Sequence, residues 1–220
     1  MADLIAGTAT PHWARALLER THILHPLATL TAEELAPFDQ LLIAQPRVLS
    51  PGENVALDAW VRDGGRLLLL ADPLLTAESH YALGDPRRPQ DVVLLSPLLT
   101  HWGLQLRFDP DQPSTPQMRE IAGLLLPYHM AGEFAPLGTA AECARQTSGI
   151  IAERSIGRGH VLIVADAALV DASHPDPAAA DALSALVSRA FDDGVKSLSN
   201  KDARGAAAQD SVDKSVENAP

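Results

Sequence analysis

The stretch QLLIAQPRVLSPGENVALDAWVRDGGRLLLLADP, residues 40–73, decides the fold. Gln40 to Ala44 is a short apolar run closed by Gln45-Pro46, the look of a buried parallel strand. Ser50-Pro51-Gly52-Glu53 then supplies an N-cap, a proline at the first helical position and a Glu three residues after the cap. Val55, Ala56, Ala59 and Trp60 are expected to form the apolar face of the helix, with Asp58, Arg62 and Asp63 toward water. Gly64-Gly65 ends it, because glycine accepts the left-handed conformation at low cost. Arg66 to Ala71 is a second apolar strand, ending at Asp72-Pro73. Strand, capped helix, Gly-Gly and strand together make a βαβ unit, which requires two parallel strands and a crossover of right-handed sense.

Outward from this unit the pattern is one of short elements. Upstream, Pro11 to Arg20 has helical spacing, Thr21 to Leu27 reads as extended, and Thr31 with Glu34 forms a candidate capping box for a helix of one or two turns. Downstream, residues 76–92 form a polar surface loop that includes the Arg87-Arg88 pair, and Ser96-Pro97 starts a helix through Trp102 that Gly103 caps. Leu104 to Phe108, Ile121 to Leu126 and Glu133 to Leu137 are expected strands, with a proline-bearing loop at 109–117. Ile150 to Arg154 and His160 to Ala165 flank Gly157-Arg158-Gly159 as an antiparallel hairpin, and Pro177 to Phe191 is a final helix. From about Asp193 the composition turns to Lys, Asp, Ser, Asn and Ala, too poor in large apolar groups to offset the entropy of ordering. The expected organisation is therefore one α/β domain over 1–192 and a disordered tail over 193–220.

Composition narrows the function classes. The 220 residues hold one full domain, and 46% apolar content is enough for a core. A formal net charge of −11 argues against nucleic acid as the main partner, since phosphate binding needs a cationic surface. The single Cys143 rules out an internal disulfide framework. Met1 to Thr10 lacks the basic and apolar regions of a signal peptide, and no run reaches the length of a membrane span. The default expectation is a soluble cytoplasmic chain, with a periplasm-facing placement as the alternative if an anchor precedes Met1.

The segments "LLIAQPRVLSPGENVALDAWVRDGGRLLLLADPLL", "LLSPLLTHWGLQL" and "RSIGRGHVLIVADAALVD" resemble the auxiliary domain of ABC-type transport systems, the gliding-motility-associated GldG-like family. The resemblance covers roughly residues 22–190 with gaps and is concentrated in 40–108 and 150–171. It implies a flavodoxin-like fold of the class I glutamine amidotransferase kind: an open, mostly parallel sheet with flanking helices, to which the residue pattern adds the C-terminal antiparallel hairpin. It also implies a non-enzymatic role beside ABC permease and ATPase subunits, usually in a membrane-tethered subunit. This chain departs from that pattern in having no membrane segment at either end.

Chemistry-bearing residues are sparse. Ligands of open α/β sheets bind beyond the carboxyl ends of the strands, where Asp72 and Asp166 stand in matching Ala-Asp contexts. One reading is a shared polar pocket in a ligand-binding or hydrolase-like site. The plainer and favoured one is that each carboxylate caps its own turn, a position where Asp is common. A metal site from Asp72, Asp166 and His174 lacks any recognised ligand spacing. A glutaminase needs a Cys nucleophile on a strand-to-helix elbow, and Ala71-Asp72-Pro73 stands there instead. There is no phosphate loop, the histidines are dispersed (His22 and His25 are the nearest pair), and Ser148-Gly149 follows no apolar strand. No catalytic residue and no cofactor are expected. Trp60 and Trp102 are expected to pack in the core or at its edge, whereas the pattern does not place Trp13 and leaves an exposed position open to it.

Overall fold

Two short helices precede the first strand in the computed structural model, which describes residues 12–77, 79, 81, 82, 84, 85, 88–121, 123–137, 144–147 (backbone only), 149–170 and 177–192. Helix α1 is Trp13–Leu18, whose partly buried Trp13 packs against the core. Residues 21–27 belong to no strand, against the extended reading of that segment. Helix α2 is Ala32–Leu35, and Thr31 Oγ1 accepts the Glu34 N–H at 3.3 Å. Only half of the expected capping box forms there. The Glu34 carboxylate turns back to the Thr29 N–H and hydroxyl, which offer it two donors at once.

The βαβ unit folds as its sequence requires. Strand β1 is Gln40–Ala44, helix α3 is Pro51–Arg62 and strand β2 is Arg66–Leu70, with β1 and β2 parallel in register from Gln40 opposite Arg66 to Ala44 opposite Leu70. The capping box is complete: Glu53 N donates to Ser50 Oγ at 3.2 Å and Ser50 N to Glu53 Oε2 at 2.9 Å. The buried stripe of α3 is Glu53, Leu57 and Val61, not the face expected from Val55, Ala56, Ala59 and Trp60. Val55 is 70% exposed, whereas Leu57 and Val61 are fully enclosed. The i, i+4, i+8 row through Leu57 points at the sheet, and the apolar residues one position to either side lie off it. Asp58 does not simply face water, because it accepts the Trp102 indole N–H at 2.8 Å.

Helix α4, Ser96–His101, follows the loop after β2, and Gly103 (φ +72°) ends it as the glycine pattern implied. Strand β3, Leu104–Arg107, does not join the main sheet. It pairs antiparallel with β6, Glu133–Pro136. Between them β4, Gln117–Ile121, and β5, Leu124–Tyr128, form a separate antiparallel ribbon. The expected single strand from Ile121 to Leu126 is thus split, with Ile121 ending β4, Leu124 opening β5 and Gly123 at φ +80° in the reversal between them. Strands β7 (Ala144–Thr147), β8 (Ile151–Ile156) and β9 (Gly159–Val164) return the chain to the main sheet, and α5, Pro177–Phe191, closes the described fold.

The main sheet has the order β1-β2-β9-β8-β7. Pairs β1–β2 and β2–β9 are parallel, whereas β9–β8 and β8–β7 are antiparallel. Four of the five strands therefore run in one direction and β8 alone opposes them, an α/β sheet with helices on both faces. The doubly apolar strands explain the two-sided cover. Leu68, Leu70, Leu162 and Val164 point to the side of α5 and the β4–β5 ribbon, where Leu183, Leu186 and Leu126 meet them. Leu67, Leu69, Val161 and Ile163 point to the side of α3 and α4, against Leu57, Val61, Leu99 and Trp102. A strand buried on both faces has no polar alternation to show, which is why these runs are continuous. Trp102 is a core residue, and Trp60 is half-buried with its indole N–H on Phe38 O at 2.7 Å. Among the described residues no helix is long and apolar enough to cross a membrane. The tail from 193, together with Cys143, Ser148, His174 and Arg87, lies outside the described residues.

Candidate functional site

The carboxyl ends of β1, β2 and β9 lie side by side, so Gln45, Asp72 and Asp166 occupy neighbouring positions. The ladder runs on past the strands: Gln45 N donates to Leu70 O at 2.9 Å and Ala71 N to Val164 O at 2.8 Å. Asp72 is fully buried and Asp166 is 2% exposed. Asp72 Oδ1 accepts Leu74 N at 2.9 Å, and its Oδ2 accepts Ala167 N at 3.2 Å. Asp166 Oδ1 accepts Ala168 N at 2.5 Å, and its Oδ2 accepts His129 N at 2.7 Å. Burial pushes the Asp72 carboxyl above its ordinary value, against the pull of the two N–H donors. The structure thus brings the two carboxylates to adjacent strand ends, where one oxygen of each holds the amide two residues on and the other an amide from a separate segment, Ala167 for Asp72 and His129 for Asp166.

Beside them stands a hydroxyl–imidazole pair with no signal in the sequence. Thr76 Oγ1 lies 2.8 Å from His129 Nδ1, and His129 Nε2 lies 2.9 Å from Ser114 O. A carbonyl oxygen only accepts, so Nε2 carries a proton, and in the neutral ring Nδ1 then accepts the Thr76 hydroxyl. The imidazole thereby ties the loop after β2 and the segment before β4 to the end of β5. His22 and His25 are not brought together: their rings pack on Phe191 and Phe38 respectively. Among the described residues, the non-glycine positions with positive φ, Gln45 (+43°) and Met130 (+57°), both flank this edge. Such conformations are costly and persist where the surroundings over-determine them.

An open concavity lies next to this edge, between the β3–β6 ribbon and the β4–β5 ribbon. It has a volume of about 620 Å³, and Asp72 and Asp166 are not among its lining residues. Arg107 and Glu133 come from one ribbon, Gln117, Arg119 and Tyr128 from the other, and Asp109 from the loop between them. Ala131 and Gly132 lie between the ribbons, with Gly132 N on Ala165 O at 2.8 Å. A Cβ on Gly132 would come within 2.6 Å of Leu106 Cδ1 and 2.9 Å of Pro73 Cγ, so both side chains would have to shift to admit one. None of these residues was legible as a site. Their strands lie outside the main sheet, and their charges carry no motif spacing.

No family model matches this sequence, and no curated protein matches it. Among solved structures, the chain is similar to an exo-β-1,4-mannosidase from Opitutaceae bacterium strain TAV5, with 16% identity and a TM-score of 0.47 over 81% of this chain and 30% of that one. A β-galactosidase from Bacillus circulans sp. alkalophilus matches 70% of this chain and 23% of its own, with 14% identity and a TM-score of 0.41. A cytoplasmic protein from Salmonella typhimurium matches 81% of this chain and 85% of its own, with 10% identity and a TM-score of 0.49. The chain spans less than a third of the length of these two glycoside hydrolases. None of these likenesses sets its function.

Proposed function

We propose that this chain is a non-catalytic binding or assembly domain, the auxiliary component of an ABC-type transport system, built on an open-sheet scaffold of the class I glutamine amidotransferase kind. The observation that carries the non-catalytic part is the use made of Asp72 and Asp166. Both oxygens of each buried carboxylate are taken by backbone N–H groups, one from the following turn and one from a separate segment, and neither residue lines the neighbouring concavity. A hydrolase built on these two groups needs a carboxylate oxygen free to face substrate, and these contacts count against it. The transporter setting rests on the resemblance of residues 40–108 and 150–171. The net charge of −11 suits a protein partner better than a nucleic acid.

The test is recovery of the tagged full chain from the native host after detergent extraction. The ATPase and permease subunits encoded beside it are expected to co-purify in fixed ratio. Recovery of the chain alone, under conditions that keep those two subunits together, contradicts the transporter role.

A further inference from the structure

We propose that the cleft between the β3–β6 and β4–β5 ribbons binds a small zwitterion bearing a carboxylate and an ammonium group, of the amino-acid or dipeptide kind. The inference rests on the reading of the chain as a binding domain, and it names the ligand class of that domain.

The topology comes first. Both ribbons lie in the excursion between β2 and β7, outside the main sheet, and the cleft lies between them. Its volume of about 620 Å³ falls within the range of small-molecule sites. Phe108 and Ile150 give it apolar surface, while two cations and two anions line it together: Arg107, Arg119, Asp109 and Glu133.

These charges do not neutralise one another. Among the described residues Arg119 makes no ion pair, and its guanidinium sits 5.1 Å from the centre of the Tyr128 ring. The ring is a fixed platform, since Tyr128 is buried and its hydroxyl donates to Gln117 Oε1. A guanidinium laid on an aromatic face keeps its N–H fork available for a planar carboxylate. Arg107 and Glu133 are register partners across β3 and β6, yet no ion pair forms between them. The Arg107 Nε–H goes to Gln105 Oε1 at 3.1 Å, and among the described residues the Glu133 carboxylate has no hydrogen-bond or ion-pair partner. Single exposed charges are ordinarily just solvated. Four of them, two of each sign, converging on one concavity beside a rigid aromatic platform form a dipolar receptor.

The sign balance selects the ligand class. A phosphate dianion entering toward Arg119 also meets Asp109 and Glu133, and like-charge juxtaposition is unfavourable. A lone cation meets both guanidinium groups. A molecule with a carboxylate at one end and an ammonium at the other satisfies both pairs, with Arg119 and Arg107 facing the anion and Glu133 and Asp109 the cation.

The experiment is a heteronuclear NMR titration of the full chain with glycylglycine, N-acetylglycine, glycinamide and inorganic phosphate. Glycylglycine is expected to give saturable shifts at the Gly132, Glu133 and Gly149 amides. The three other probes are expected to bind about tenfold more weakly or worse, the loss of one charge-assisted contact. Arg119→Gln should remove the preference for glycylglycine over glycinamide, and Glu133→Gln its preference over N-acetylglycine. Both side chains are on the surface, so both variants should keep the parent unfolding midpoint. Three results overturn the proposal: no saturable shifts with glycylglycine up to about 10 mM, tighter binding of phosphate, or charge preferences unchanged in both variants. Co-purification with transporter subunits is a separate readout and stands or falls independently of these results.

Discussion

Gln45 closes its side-chain amide on the backbone of Asp72: Oε1 accepts the Asp72 N–H at 2.9 Å, and Nε2 donates to Asp72 O at 3.2 Å. A side chain here takes the place of the next ladder residue, where β1 has ended and β2 continues toward its turn. The same Nε2 also reaches Gln90 O at 2.7 Å, which pins the returning end of the long loop after β2.

Gln45→Ala therefore removes three hydrogen bonds and leaves the buried Asp72 N–H without its acceptor. The expected loss is about 2–4 kcal/mol, since each orphaned buried group costs ~1–3 kcal/mol. Urea unfolding of the variant checks it. A loss under about 0.5 kcal/mol, the range of ordinary surface substitutions, contradicts the role assigned to this side chain.

Gly159 opens β9 where it passes the end of α3. A Cβ there would sit 1.9 Å from Val61 O and 2.4 Å from Gly65 O, both backbone atoms that cannot swing aside. Gly159→Ala is expected to destabilise the fold by about 3 kcal/mol, at the upper end of overpacking costs. Gly52→Ala, with nothing within 4 Å of its added Cβ, is the matched control and should be nearly neutral. Equal midpoints for the two variants in thermal unfolding would contradict the close approach.

These residues show how far the sequence carries. The βαβ unit was legible because local signals agreed: capping box, helix length, Gly-Gly and two apolar strands. The buried face of α3 was misread because Val55 and Trp60 look more core-like than Glu53, which faces inward to hold Leu30 N at 3.1 Å and the Arg47 side chain. The Gly157-Arg158-Gly159 turn was legible as a hairpin, but the Val61 carbonyl that demands Gly159 comes from 98 residues earlier in the chain. The Asp pair was located at the right edge, whereas its amide partners Ala167 and His129 depend on tertiary packing. The cleft left no local trace, because two short ribbons packed across it have no periodicity in common.

Glu153 links the β8–β9 hairpin to α5. His160 Nε2 lies 2.9 Å from its Oε1, and the Arg189 Nε and Nη2 lie 3.0 and 2.7 Å from its Oε2. The His160 bond, with Arg189 beside it and against the cost of burial, holds the Glu153 carboxyl down at about 2, from an ordinary 4.5. Between those values the unfolded chain binds more protons, so this contribution is present above about pH 4.5 and lost as pH falls toward 2. Glu153→Gln should flatten the fall of the urea midpoint across this window. An unchanged slope counts against the linkage.

Asp72 has the opposite sign. Its carboxyl is raised above 3.8 by burial, so the folded chain binds more protons than the unfolded one above that pH, and stability declines as pH rises. Relative to Asp72→Asn, the parent chain should lose stability on going from acid toward neutral pH. A difference that grows in the other direction contradicts the cause given for the shift.

The central claim is that the strand-end carboxylates maintain the fold while the ribbon cleft binds. Its most direct measurement is the glycylglycine dissociation constant of Asp166→Asn beside that of Arg119→Gln, with the unfolding midpoint of each. Asp166→Asn is expected to lower the midpoint, by about 1–3 kcal/mol for a buried amide left without its acceptor, and to keep the dissociation constant within about twofold of the parent. Arg119→Gln should keep the midpoint and weaken binding about tenfold. The reverse pattern, with binding lost at Asp166 and intact at Arg119, contradicts the account.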